Sequence, residues 1–150
     1  MAVPNDIRPI TSVFNRLTCY ELDGNQIKLM LLIAAGGAIG SVLRYSVSGA
    51  FTKGDFPWGT FVVNFSGSLL LAFVFFLAAG KGVMPQDMRL FLFVGVFGGY
   101  TTLSTFTLET VELLAETRIT AAAVNIFLNA IVCVGGALFG RIMGILVGGG

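Results

Sequence analysis

Four intervals of this chain carry no charged residue: residues 29–43, 59–80, 90–108 and 119–140. Each is close to the roughly 20 residues that a helix needs to cross about 30 Å of hydrocarbon. Water is absent from that layer, so a crossing segment must pair its own backbone groups or lose several kcal/mol for each bare one, and only a helix does this within a single segment. The pattern therefore predicts an all-α membrane protein with four transmembrane helices. Composition agrees: 55% of the 150 residues are hydrophobic and 11% are charged, where a soluble domain carries about a quarter charged, and the mean hydropathy is +0.88. Pro4, Pro9, Pro57 and Pro85 all fall outside the intervals, as expected of residues that punctuate loops.

Residues 1–27 are mixed and polar, with Arg8, Arg16, Asp6, Glu21 and Asp23 among them. They lack the apolar run of a secretory signal, so a cytoplasmic tail is expected, followed by a transmembrane domain over residues 28–150. Cys19 belongs to the tail and Cys133 to the fourth span, so no disulfide is expected between them. The chain has no histidine, which excludes imidazole chemistry, and its net charge of +1 suggests no nucleic-acid partner. With four spans, Lys28, Lys81, Arg89 and Arg141 lie towards one membrane face, and Arg44, Lys53 and Arg118 towards the other. Orientation follows the excess of Lys and Arg on the cytoplasmic side, and so slight an asymmetry would let two copies insert in opposite senses and pair antiparallel.

In lipid, helices associate by close approach, so small residues every fourth position mark contact faces. Gly36 and Gly40 in the first span, and Gly136, Gly140 and Gly144 in the fourth, read as such faces. The third interval differs. Its run G-V-F-G-G-Y-T-T-L-S-T-F-T-L-E, residues 95–109, places Gly98-Gly99 and then Thr101, Thr102, Ser104 and Thr105 in mid-span, which predicts a third helix broken at mid-membrane. Carbonyls exposed by such a break, from Gly98 to Thr101, can hold a cation. The hydroxyls and the electropositive ring edge of Phe106 can surround a small anion. The same hydroxyls can also simply bond helix to helix.

Other intramembrane polar residues carry similar pairs of readings. Asn64 shares a helical face with Thr60, Gly67 and Ser68, and its amide can donate to an anion or bond across to a neighbouring helix. Asn125, Asn129 and Cys133 repeat along one face of the fourth span. Arg44 suits an interfacial arginine reaching for phosphates or a cation that gathers anions at a vestibule. Glu109 is placed to line a mouth, with Glu112 and Glu116 on a solvated face beyond it.

Taken in order, G-G-A-I-G-S-V-L-R-Y (residues 36–45), G-T-F-V-V-N-F-S-G-S (residues 59–68) and the 95–109 run together resemble the CrcB/Fluc fluoride channels, from about Lys28 to the C-terminus. The resemblance implies an antiparallel, dual-topology homodimer in the inner (plasma) membrane that exports fluoride passively through two pores. It implies a fluoride pathway of Asn64, Thr102, Thr105, Phe106, Arg44, Glu109 and Asn129. It also implies a structural sodium ion at the dimer centre, held by backbone carbonyls of Gly98 and Thr101, so fluoride, sodium, lipid and a second copy are the expected partners. Three positions depart from the family pattern: Leu103 stands where the first phenylalanine of an aromatic box is usual, and Asn125 and Asn129 replace aromatic or small hydroxyl residues. A small dual-topology multidrug exporter is the alternative, but it needs an acidic residue in the first span, and residues 29–43 have none. A non-transporting scaffold is the other alternative. An enzyme is not expected, because no nucleophile–base pair, metal cluster or phosphate loop is legible.

Overall fold

The structure, a computed structural model, describes residues 24–81 and 84–148. Helix α1 is Gly24–Phe51 and α2 is Trp58–Lys81. The third segment, here α3, runs from Gln86–Arg89 through a π-helical stretch Leu90–Phe97 to Gly98–Tyr100. Helix α4 is Leu103–Ala115. The last segment, α5, is Ile119–Phe127, a π-helical turn Leu128–Val132, and Cys133–Gly148. Gln86–Ala115 and Ile119–Gly148 join Gly24–Phe51 and Trp58–Ala78 as four helical segments long and apolar enough to cross a membrane. Most of the tail, including Cys19, lies outside the described residues; Cys133 is a buried thiol.

Glycine builds both main contacts. Helix α1 packs on the π-helical part of α3, where Gly36 and Gly40 of α1 face Gly95 and Gly99 of α3. A Cβ at Gly36 would stand 2.5 Å from Phe91 O, one at Gly95 would stand 2.9 Å from Gly36 Cα, and one at Gly99 would stand 2.6 Å from Gly37 O. The two backbones touch, and no side chain fits between them. Helix α2 packs on the C-terminal part of α5, with Gly136 against the Phe65 ring and Gly144 against Phe73 O at 2.7 and 2.6 Å from their would-be Cβ atoms.

The π turn sets the azimuth of α5. At 3.6 residues per turn, a regular α-helix would carry Gly144 about 100° around the axis from Asn125. Opening five residues, Leu128–Val132, to the wider i→i+5 turn removes most of that drift. Asn125, Cys133, Gly136, Gly140 and Gly144 are consequently all buried. Between α4 and α5 the backbone turns through Thr117 in the left-handed region, φ 59°. Arg118 N donates to Leu113 O at 2.9 Å and Thr117 N to Leu114 O at 3.0 Å, the pairing that closes a helix over a left-handed residue.

Candidate functional site

Between α3 and α4 the chain leaves helical geometry for two residues: Thr101 has φ −78°, ψ 156° and Thr102 has φ −148°, ψ 117°. The residues expected to interrupt this segment, Gly98 and Gly99, are themselves helical, Gly98 with φ −64° and ψ −37°. Gly99 answers instead to the close approach of α1. The extended conformation falls on two β-branched residues, which favour it.

The side chain of Asn64, on α2, meets the groups this conformation frees. Thr102 N donates to Asn64 Oδ1 at 2.8 Å, and Asn64 Nδ2 donates to Thr102 O at 3.0 Å. Its second amide hydrogen goes to Asn129 Oδ1, 2.9 Å away on α5. Both donors of Asn64 are thereby engaged within the chain. Gly67, one helical turn along α2, lets the same segment come close, since a Cβ there would overlap Thr101 Cγ2.

In a regular helix Thr102 N would bond to Gly98 O and Thr105 N to Thr101 O. Here Thr102 N is taken by Asn64, and Thr105 N donates to Thr102 Oγ1 at 3.2 Å, the side-chain cap of α4. The carbonyls of Gly98 and Thr101 have thus lost their usual helical donors. Thr102 Oγ1 donates onward to Thr105 Oγ1 at 3.0 Å. That leaves the exposed Thr105 hydroxyl with its own proton to offer.

Two clefts meet beside this turn. One, about 470 Å³, is lined by Arg44, Tyr45, Ser48, Thr60, Thr102 and Thr105, among others that include Thr52. The other, about 560 Å³, is lined by Thr52, Asp55, Glu109, Glu112, Glu116 and Arg118, among others. They share Thr52, and between them the buried Thr60 donates to Glu109 Oε1 at 2.6 Å. Arg44, Thr102, Thr105 and Glu109, named from the sequence, therefore line neighbouring spaces. Asn64, Asn129 and Phe106 line neither; Phe106 is half-buried on the first turn of α4. Arg44 has no carboxylate partner among the described residues, so its charge faces the cleft uncompensated.

Three further contacts between helices bear on this site or its surroundings. Thr60 partners Glu109; Ser66 and Tyr100 share a hydrogen bond at 2.9 Å; and Thr110 accepts from Asn125 at 3.0 Å. The face shared by Thr60 and Asn64 hinted at the first. No sequence signal marks the other two, because each joins two helices whose relative rotation residue spacing leaves open.

A sequence profile of the family described as "CrcB-like protein, Camphor Resistance (CrcB)" matches residues 31–141. The "Fluoride-specific ion channel FluC" of Rhodospirillum rubrum is 42% identical over 125 residues, 80% of this chain and 97% of that protein. Its namesakes in Nitrobacter winogradskyi and Anaeromyxobacter dehalogenans are 43% identical over 114 residues and 41% over 111, covering 74% and 72% of this chain and 90% and 88% of theirs. The chain belongs to the CrcB family.

Proposed function

We propose that this protein is a fluoride-selective channel that lets the anion leave the cytoplasm passively. Relatives covering most of the chain carry that name, and one observation in the fold supports it above the rest: the uncommitted Thr105 hydroxyl opens onto the same cleft as the unpaired Arg44. Arg44 draws anions in, as a cation in a low-dielectric cleft does. Fluoride then exchanges water for the hydroxyl donor at Thr105, which Thr102 orients by donating to its oxygen, and for the ring edge of Phe106. A small, strongly hydrated ion needs such donors close together. Asn64 and Asn129 serve the pathway by fixing Thr102. Thr60 and Glu109 mark the passage to the cleft lined by Glu112 and Glu116.

The functional unit in this reading is an antiparallel, dual-topology homodimer. Support comes from the exposed apolar face around the turn, where Leu103 is 75% and Leu108 59% exposed, and from the sparse charge asymmetry of the loops. A sodium ion at the dimer centre fits the carbonyls of Gly98 and Thr101, whose helical donors are diverted to Asn64 and Thr102. The ion would supply fixed positive charge between two facing turns. No mid-span carboxylate offers a proton carrier for coupled exchange, which favours a channel over an antiporter.

The deciding measurement is efflux from liposomes holding the purified protein, comparing fluoride with chloride. Rapid fluoride loss with little chloride loss is expected. Loss of neither ion would leave the scaffold reading, and equal loss of both would remove selectivity.

A further inference from the structure

Asn125 is 0% exposed and lies on α5, outside both clefts. Its Nδ2 donates to Thr110 Oγ1 at 3.0 Å, and Thr110 Oγ1 donates to Phe106 O at 2.7 Å. Its Oδ1 and backbone O both accept from Asn129 Nδ2, at 3.0 and 3.1 Å. Asn129 Oδ1 accepts from Asn64, which also donates to Thr102 O. From Asn64 onward every hydrogen points the same way, through Asn129, Asn125 and Thr110 to Phe106 O.

The chain of bonds starts at the Thr102 carbonyl, on the N-cap of α4, crosses α2 and α5, and returns to α4 at the Phe106 carbonyl. It therefore grips both ends of the turn that carries Thr105 and the Phe106 ring. Bonds aligned in one direction polarise one another in a low-dielectric interior, and a break in one member is felt by the rest. The π turn Leu128–Val132 contains Asn129 and keeps these amides on the same side of α5 as its glycine face.

We propose that Asn125 is a positioning residue for ion passage: through Asn129 and Asn64 at one end and Thr110 at the other, it fixes the rotation of the first turn of α4. The inference rests on the reading of the chain as a fluoride channel. Asn125 never meets the ion. It determines where Thr105 and Phe106 stand when the ion arrives.

The test uses the full chain in liposomes, with Asn125→Leu, which keeps the branched outline of the side chain, with bulkier methyls, and deletes the amide. Fluoride efflux is expected to fall roughly tenfold or more, as when a reacting group is displaced by a fraction of an ångström, while the oligomeric state is unchanged. Asn129→Leu should fall similarly, and the double variant no further, because both cut one chain. By NMR, the side-chain amide protons of Asn64 should exchange with solvent faster in Asn125→Leu. Wild-type efflux in folded Asn125→Leu, or a double loss equal to the product of the single losses, overturns the proposal. If the wild type moves no fluoride, the functional reading fails separately, and unchanged Asn64 exchange in Asn125→Leu still overturns the bracing role. Should Asn125→Leu not fold, Thr110→Val cuts the far end of the chain, and unaltered efflux and exchange in that variant overturn the proposal equally.

Discussion

Asn64 does more for the backbone than its place on a polar face suggests. Its amide matches the N–H and C=O of Thr102 as a neighbouring strand would, and a buried backbone group left unpaired costs about 1–3 kcal/mol. Asn64→Leu is accordingly expected to abolish fluoride efflux and to lower the melting temperature, both read on the same reconstituted sample; unchanged efflux would remove Asn64 from the pathway altogether. Leu103 presents the opposite case. At 75% exposure it has little to pack against within its own chain, so Leu103→Phe should fold normally and conduct at least as fast as the wild type, because the larger ring adds an electropositive edge beside the turn. A large fall in rate would show that an aromatic box is the wrong template for this protein. At this scale the residue types were legible but their partners were not. Thr102, Thr105, Arg44 and Glu109 could be named from hydroxyls and charges in apolar sequence. That the Asn64 donors go to Thr102 and Asn129 depends on how α2 and α5 rotate, which sequence spacing leaves open.

The elements themselves were readable because lipid allows so few alternatives. Uncharged length marked four crossings, and the glycine spacings marked α1 and α5 as contact helices. The glycines point to an interruption from Gly98 to Thr101, whereas only Thr101 and Thr102 leave helical geometry; Gly99 is there for thinness. Its missing Cβ would stand 2.6 Å from Gly37 O, a backbone atom that cannot swing aside. Gly99→Ala should therefore pry α1 from α3, at a cost of about 1–3 kcal/mol for an overpacked contact. Gly135→Ala, with nothing within 4 Å of the new methyl, should be neutral or slightly stabilising, because alanine is the better helix former. Thermal unfolding of the two variants side by side checks this. Equal melting points would mean that the α1–α3 contact is looser than described. The π turns had no sequence signature, since periodicity over so short a stretch cannot separate a wide turn from a regular one.

For the whole molecule, the even spread of loop charge makes orientation the property to test. If copies insert in both senses, cysteine placed at the α4–α5 connection, as in Thr117→Cys, should be labelled by an impermeant maleimide from both sides of sealed vesicles, in roughly equal shares. Labelling from one side alone would exclude an antiparallel pair. The protomer also keeps very little of its bulk to itself. Among the described residues Val63 and Asn125 are the largest fully buried side chains, whereas Leu31, Val42, Ile131, Val134 and Leu146 are all more than half exposed. A body so thinly lined inside draws its solidity from whatever surrounds it. In detergent the unfolding temperature should therefore climb as the preparation is concentrated, because mass action then favours the mated form. A midpoint that stays put across a hundredfold dilution would reveal a subunit able to stand alone.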